Sequence, residues 1–455
     1  MKTNPLTHAL MLANSPISLL GLFSLALRAL PQVASAPHQV PFDQFLATVK
    51  AASFSQWKHG AVDNERSFNQ MKAHILDMYS GVGSVAHSFL LDGRYADCID
   101  INKQPSLAGR PLATAPVAPL NEPPVSPGGP TGSGTPAVSP LTQNLKDPFG
   151  NDISCPNGTI PFARLTLERI TTYPTLAAFF AKSTNGAGQA LSARGVEELE
   201  SRGPSAQPHL YAYGFQQITN YGGHSWLNLW SPVGDFSISQ QWYVGGSGTS
   251  LQTAEGGWIV YPQHFSTQAV LFIFWTPDAY STGCYNLECK AFVQNNNNWY
   301  LGGTFDQYSV TGGGQRGFDL QWKLYQGNWW LYLRGAGATY DTVGYYPGSI
   351  YNGGQLTKNA EIIEYGGEVT RFTTVDVWPQ MGSGMFPSKG YAQAAFQNTI
   401  YYNPRDENDG VGVWSDLTKV DVGSHSCWDI NITESAQGGG WGTFFFFGGP
   451  GGNTC

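Results

Sequence analysis

The sequence predicts an all-β C-terminal domain, an antiparallel two-sheet β-sandwich with an open cleft, preceded by a partly helical segment. Beyond residue 206, apolar and aromatic residues alternate with polar ones in short runs separated by Gly, Asn and Pro, as in antiparallel strands. Thirteen of the fourteen Trp lie after residue 225. Residues 206–455 hold 9 basic and 18 acidic residues, against 15 and 14 before them. Two kinds of polypeptide are therefore joined.

The first 36 residues have the pattern of a secretory signal peptide. A basic start at Lys2 precedes an apolar stretch, and small residues run up to Ala36, as at a signal-peptide cleavage site. A transmembrane anchor is the alternative, but Pro16 and Arg28 interrupt the stretch, and a span needs about 20 apolar residues. We expect a secreted, extracellular protein without a membrane partner.

Residues 37–205 are interpreted as a separate segment that precedes the sandwich. Within residues 39–93, Phe42, Phe45 and Val49 recur at helical spacing, as do Met71 and Ile75. Residues 106–150 hold ten prolines and several glycine runs, which predicts a linker.

Residues 206–455 form the predicted sandwich. Its clearest strands are runs of five to seven residues, namely Phe236–Trp242, Gly257–Tyr261, Ala269–Trp275, Phe318–Leu324 and Trp329–Leu333. Charged residues make up only 12% of the whole chain and the net charge is -8. That composition excludes a disordered polyelectrolyte, and it provides no surface for nucleic acid.

Six cysteines in an exported chain indicate disulfides rather than a metal site. Six cysteines allow fifteen connectivities, and the preferred pairs are Cys98–Cys155, Cys284–Cys289 and Cys427–Cys455. No Cys-x-x-Cys or paired His spacing occurs, so neither a metal nor another cofactor is expected. Two glycosylation sequons begin at Asn157 and Asn431.

Two glutamates are the strongest candidates for chemistry. Glu255 and Glu368 lie within apolar alternation, each beside a Gly-Gly pair, and an unpaired buried carboxylate costs several kcal/mol. On facing strands they can share one proton, so that one acts as acid and the other as base. Exposed or salt-bridged glutamates remain the alternative, with Glu361 and Glu364 as other partners for Glu368.

Seven blocks in order resemble the neprosin family of secreted glutamic peptidases. They are Glu255–Pro262 (EGGWIVYP), Phe274–Tyr280 (FWTPDAY), Gly283–Cys289 (GCYNLEC), Gly327–Leu331 (GNWWL), Gly344–Pro347 (GYYP), Gly366–Val369 (GGEV) and Met381–Pro387 (MGSGMFP). Two upstream blocks, Tyr95–Pro105 and Cys155–Pro161, are similar to that family's activation peptide. The resemblance covers about residues 90–105 and 153–450.

The resemblance implies a proenzyme whose paired glutamates, here Glu255 and Glu368, cleave peptide bonds after proline at acidic pH. Glu368 is the preferred base and Glu255 the preferred acid. At three places beside the site this sequence differs from the family's usual residues, with Tyr365, Gly256 and Tyr346. The resemblance therefore does not define the residues of the specificity pocket. A proline ring needs a flat apolar slot, which Trp258, Tyr261, Trp275 and Tyr285 could line. Gln241 and Gln252 are the candidates for holding the water or the oxyanion by hydrogen bonds.

The sequence thus favours an acid-active glutamic endopeptidase, made as a zymogen, that acts on proline-containing peptides or proteins. Its own pro-segment is the expected intramolecular inhibitor, cut between about Ser192 and His209. Two alternatives stay open. One is a glycoside hydrolase that uses the same carboxylate pair, and the other is a non-catalytic β-sandwich that binds carbohydrate or cell wall through exposed aromatic residues.

Overall fold

The computed structural model describes residues 39–124, 145–182, 209–336, 339–371, 377–406, 410–422, 426–453 and 455. From Val40 onward they belong to one compact unit. The predicted signal peptide, the middle of the predicted linker and most of the expected cleavage window lie outside the described residues. No helix in the described ranges is long and apolar enough to cross a membrane.

The described part of the N-terminal segment, within residues 40–182, opens with the two helices that the spacing predicted. Helix α1 spans Phe42–Ala51 and α2 spans Glu65–Met78. The Asn64 side chain caps α2 by accepting a hydrogen bond from the Ser67 N–H, which satisfies a backbone donor that has no partner within the helix. The apolar residues of both helices are buried against one another.

A small antiparallel sheet follows the helices, formed by β1 (Val85–Leu91), β2 (Arg94–Asp100) and β3 (Thr159–Ala163). The buried pair Arg164–Asp97 supports it, with the guanidinium stacked 4.5 Å from the Tyr95 ring. Two short helices, α3 (Leu167–Ile170) and α4 (Leu176–Phe180), then carry the chain towards the sandwich.

The sandwich consists of sixteen strands within the described residues, and the short helix α5 (Ser435–Gly438) lies between the last two of them. The strands are β4 (Leu210–Asn220), β5 (Gly222–Asn228), β6 (Ser237–Gly245), β7 (Gln252–Val260), β8 (Val270–Thr276), β9 (Cys284–Tyr285), β10 (Val293–Gln294), β11 (Gly317–Tyr325), β12 (Asn328–Arg334), β13 (Asp341–Pro347), β14 (Ala360–Val369), β15 (Ala395–Tyr402), β16 (Val413–Trp414), β17 (Thr418–Val422), β18 (Asp429–Thr433) and β19 (Phe444–Gly448).

Two antiparallel sheets are formed, which confirms the predicted fold class. Seven strands follow the order β17-β4-β14-β6-β7-β8-β9, and nine follow β10-β13-β12-β11-β5-β15-β19-β18 with β16 paired to β15. Each of the five predicted strand runs lies on an observed strand. Between the sheets the core is aromatic, and Trp322 stacks on Tyr346 at 5.4 Å.

Part of the predicted linker is not a free spacer. Residues 106–124 run along the outside of the nine-stranded sheet, where the Leu120 N–H donates to Gln321 and the Ala113 N–H donates to Tyr345. Backbone donors that have side-chain acceptors on the sandwich hold this stretch in place, despite its many prolines.

The three disulfides join the predicted pairs, Cys98–Cys155, Cys284–Cys289 and Cys427–Cys455. The first lies within the N-terminal segment, and the other two lie within the sandwich. No disulfide therefore ties that segment to the sandwich, and the two are joined covalently only through the chain that follows Lys182.

Candidate active site

The two candidate glutamates lie on strands that flank the same central strand. Glu255 is on β7 and Glu368 on β14, and both strands pair with β6. Successive side chains on a strand point to opposite faces. A Cβ on Gly256 would meet Leu320 and Trp322 of the other sheet at 3.2 Å, so its neighbour Glu255 faces outward.

An ammonium group of the N-terminal segment lies between the two carboxylates. Lys182 Nζ is 2.7 Å from Glu255 Oε2 and 2.9 Å from Glu368 Oε2, and all three side chains are fully buried. One nitrogen thus bonds to both carboxylates, so the sheet brings the two glutamates together as the sequence predicted.

Helix α4 positions this lysine. The Thr175 side chain caps the helix by accepting from the Ala178 N–H, and Phe179 is fully buried against His264 at 4.9 Å between ring centroids. Ala181 then adopts an extended conformation. The Lys182 carbonyl accepts a 2.6 Å hydrogen bond from the Tyr285 hydroxyl, so its backbone is fixed on the sandwich.

Glu368 has three further contacts within the sandwich. His209 Nδ1 lies 2.5 Å from its Oε1, Gln240 Nε2 donates to its Oε2 at 2.8 Å, and the Tyr211 hydroxyl donates to Oε1 at 3.5 Å. Burial opposes ionisation of Glu368, but attraction by Lys182 and the His209 hydrogen bond outweigh it and lower its pKa to about 2.

Glu255 is held instead by two neutral hydroxyls. Thr253 and Tyr280 each donate to its Oε1 at 2.7 Å. Burial, followed by the charge of Glu255, raises the pKa of Tyr280 well above its usual value, so this hydroxyl stays protonated. The surroundings of the two carboxylates therefore differ, with an imidazole beside one and neutral donors beside the other.

Two sequence expectations need correction for this state of the protein. The carboxylates were expected to share a proton in an open groove. Both are fully buried, and a lysine ammonium takes the place of the shared proton. Burial lowers the pKa of Lys182, but attraction by the two carboxylates outweighs burial, and the pKa is raised above its ordinary value. Lys182 and Glu368 are therefore ionised together.

The glutamine candidates are also corrected. Gln241 points between the sheets, where it donates to Ser225 and to the Leu320 carbonyl, and Gln252 donates to the Tyr351 carbonyl. Neither contacts a candidate glutamate. Gln240, one position earlier on β6, faces the opposite way and bonds to Glu368. Strand alternation was the signal that would have selected Gln240.

The aromatic candidates divide into core and cleft residues. Trp258 is fully buried and donates to the Asn228 carbonyl, and Tyr261 stacks on His264. Trp275 lies 6.1 Å from Tyr351 on the inner side. Of the predicted set, only Tyr285 contacts Lys182. Two aromatic residues that were not selected, Trp242 and Tyr280, each lie 5.6 Å from the Lys182 ammonium.

The Gly-Gly pairs are explained by close approach of neighbouring groups. A Cβ on Gly257 would lie 2.0 Å from the Ser239 carbonyl oxygen, and one on Gly366 would lie 2.5 Å from the Ala212 carbonyl oxygen. Glycine therefore lets β7 and β14 pack tightly beside the glutamates, in keeping with the expected close approach of another backbone.

The other acidic candidates do not join this pair. Glu361 accepts a hydrogen bond from the Gly246 N–H, and the charge of Glu364 acts on Tyr213. Within the described ranges, no group of three or more His, Cys, Asp or Glu can hold a metal ion. Asn157 and Asn431, the sequon asparagines, are both exposed.

The fold and the site define a β-sandwich with a paired-glutamate centre. The family model named Neprosin matches residues 233–450, so this part of the chain is a neprosin domain, as the seven motifs indicated. The match supports a peptidase.

Two solved structures of scytalido-glutamic peptidase are similar to this chain. One contains a transition state analog inhibitor, with TM-score 0.31 and 10% identity, and the other a peptide-based transition state analog, with TM-score 0.30 and 9% identity. Each comparison covers 53% of this chain and 98% of the other. The fold assignment rests on the strand pairing itself.

Proposed function

We propose that this protein is a secreted, acid-active glutamic endopeptidase that cleaves after proline and is made as a zymogen. One observation carries the proposal, namely that Glu255 and Glu368 both bond to a single point now occupied by Lys182 Nζ. A water molecule at that point would be within hydrogen-bond reach of both carboxylates, as general acid–base catalysis requires.

In the proposed reaction Glu368 is the base and Glu255 is the acid. The water gives a proton to Glu368 and its oxygen attacks the carbonyl carbon of the peptide bond. Protonated Glu255 then gives its proton to the leaving nitrogen as the carbon–nitrogen bond breaks. His209 favours the ionised form of Glu368, which suits the base, and Gln240 Nε2 is placed to stabilise the oxyanion.

Proline preference is proposed to come from the slot that the lysine side chain now fills. Trp242 and Tyr280 both lie 5.6 Å from the Lys182 ammonium, so a flat apolar ring can enter between them once the lysine leaves. Aromatic faces provide the packing that a proline ring needs. Trp242 and Tyr280 thereby replace Trp258 and Tyr261 as candidates for this pocket.

Latency follows from the same contacts. While Lys182 neutralises both carboxylates, no water can occupy the central point and no substrate can enter the buried site. Acid is expected to protonate the glutamates and weaken the lysine contact, after which the chain is cut within about residues 192–209 and residues 37–205 separate. The chain is proposed to be exported through a signal peptide, residues 1–36, and glycosylated at Asn157 and Asn431.

Peptide cleavage by the acid-treated full chain tests the function. Mass spectrometry should locate hydrolysis on the C-terminal side of the proline in a peptide with one proline. Glu255→Gln and Glu368→Gln should each lower the rate by about 10²–10⁴, the usual contribution of general acid–base groups. Glu361→Gln, which removes another carboxylate on the same strand β14, serves as the control. Full activity in either glutamate variant would contradict the proposal.

A further inference from the structure

A second docking point of the pro-segment lies beside the active site and consists of two arginines. Arg169 donates from Nη2 to Glu288 Oε1 and from Nε to the His264 carbonyl at 3.1 Å. Arg94 donates from Nη2 to the same carbonyl at 2.8 Å. The Phe265 ring lies 5.5 Å from the Arg94 guanidinium carbon and 5.7 Å from that of Arg169.

The receiving groups are built into the sandwich. Glu288 lies in the loop closed by Cys284–Cys289, and its Oε2 is 2.8 Å from His264 Nε2. Burial opposes ionisation of Glu288, but Arg169 and His264 outweigh it and lower its pKa to about 2. A carboxylate, a carbonyl and an aromatic face thus converge on one place, which is the set of groups that a guanidinium recognises best.

All the guanidinium groups at this point come from the pro-segment, and all the acceptors belong to residues 206–455. The Tyr173 hydroxyl, which bonds to His264 Nδ1 at 2.8 Å, also belongs to the pro-segment. When the pro-segment leaves, Glu288 and the His264 carbonyl lose their arginine partners and become accessible. Glu288 stays in the disulfide-bound loop and keeps its contact with the His264 side chain.

This second docking point is continuous with the active site. Tyr285 donates its hydroxyl to the Lys182 carbonyl at 2.6 Å, and its ring centroid lies 5.2 Å from that of His264. One tyrosine therefore joins the place where Lys182 blocks the glutamates to the place where Arg169 binds.

We infer that Glu288, the His264 carbonyl and Phe265 form a subsite of the mature enzyme that binds an arginine side chain of the substrate. The inference rests on the proposed peptidase function. Arg169 occupies the subsite in the zymogen, as Lys182 occupies the catalytic centre. Lysine is expected to bind less well than arginine, because an ammonium cannot use the carboxylate, the carbonyl and the ring face together.

Matched peptides test the subsite in the acid-activated full chain. Each peptide has one proline and one arginine, and the arginine is moved through successive positions on both sides of the proline. Citrulline, which keeps the shape of arginine and lacks its charge, replaces it in the control series. The assay runs at pH about 5.5, above the ordinary carboxyl pKa of about 4.3.

At one arginine position, kcat/KM should exceed that of the citrulline peptide by about tenfold, as expected for a hydrogen bond between charged groups. Glu288→Gln should bring this ratio close to one. Asp416→Asn, which removes an exposed carboxylate elsewhere on the sandwich, should keep the ratio. A ratio near one at every position, or a ratio that persists in Glu288→Gln, overturns the subsite.

Loss of the peptidase function itself would be recognised separately. If neither the arginine nor the citrulline peptides are cleaved, the proposed reaction fails, and peptide binding then tests the subsite. Fluorescence anisotropy with labelled arginine and citrulline peptides should still show about tenfold tighter binding of the arginine form, abolished by Glu288→Gln. Equal affinities would overturn the subsite without any reference to catalysis.

Discussion

Replacing Lys182 by methionine should convert the latent chain into one that opens at higher pH. The substitution keeps an unbranched side chain that is shorter by one atom, and it removes the ammonium that is 2.7 and 2.9 Å from the two glutamates. Two buried carboxylates then face each other without a cation. They must either take up a proton or separate from the pro-segment.

The structure sets the size of this effect. Lowering the pKa of Glu368 from its ordinary 4.5 to about 2 corresponds to about 3 kcal/mol in favour of the ionised form, at about 1.4 kcal/mol per pH unit. His209 supplies a part of this. Removing one partner of a buried ion pair costs about 3–5 kcal/mol, so the ratio of closed to open chain should fall at least about 100-fold.

The sign of the pH dependence follows from the lowered pKa. A carboxyl whose pKa is depressed in the closed state contributes stability above its ordinary pKa and loses it as pH falls towards about 2. Wild type should therefore open within this range. Lys182→Met lacks the contact that depresses the pKa, so its closed state should already be weakened near neutral pH, where the buried carboxylates have no ammonium, and acid should not weaken it further.

Activation curves measure this shift. Each protein is held at a series of pH values and then assayed at one common pH with a proline peptide, while gel analysis follows loss of the pro-segment. Lys103→Met, which changes an exposed lysine of the same segment, should activate as wild type does. If Lys182→Met also activates at the wild-type pH, the lysine contact does not hold the chain latent.

Three further outcomes are expected. Gln240→Ala should lower kcat by about 10²–10³, as loss of an oxyanion donor does, whereas Gln241→Ala should lower the thermal unfolding temperature, because its contacts lie between the sheets. Burial lowers the pKa of His264 to about 4, and that of Glu288 is about 2. Docking of the pro-segment at these two residues should therefore weaken as His264 takes up a proton between pH 6.5 and 4, and weaken again as Glu288 does so between pH 4.5 and 2. Tryptophan fluorescence can follow the docking, and docking that strengthens on acidification would refute this expectation. Gly257→Ala should destabilise the sandwich by about 1–3 kcal/mol in chemical denaturation, since its Cβ would lie 2.0 Å from a carbonyl oxygen of β6.

The fold was largely predictable from the sequence because its signals are local. Alternation along Phe236–Trp242 and Phe318–Leu324 marks strands whatever their partners are. Helical spacing at Phe42 and Met71 marks α1 and α2 in the same way. The path of residues 106–124 was not predictable, because proline content describes the stiffness of a chain and not the acceptors on a distant sheet that hold it.

The carboxylate pair was predictable for a different reason. In a domain with few charges, a glutamate within an apolar strand needs a partner, and both Glu255 and Glu368 stood out on that ground. Gln240 was missed although alternation was visible, since the neighbouring Gln241 has the same side chain and only the facing direction separates them.

Lys182 and His209 carried no comparable signal. Lys182 lies in a segment without periodicity, and His209 is a single polar residue just before strand β4. Each acquires its role only through contacts with Glu368 from far along the chain. The charges within residues 206–455 do not indicate a role for Lys182, because this compensating cation lies before residue 206.

A lysine suits a latent glutamate pair for a physical reason. A neutral side chain in place of Lys182 would leave two carboxylates buried without a counter-charge, and one of them would take up a proton. Acid would then no longer destabilise the closed state. An ammonium makes closure strongest when both glutamates are ionised and weakest when they are protonated. In the proposed mechanism, protonation of the buried carboxylates releases Lys182 and brings the proton that the reaction needs, so a single chemical event can open the site and prepare it for catalysis.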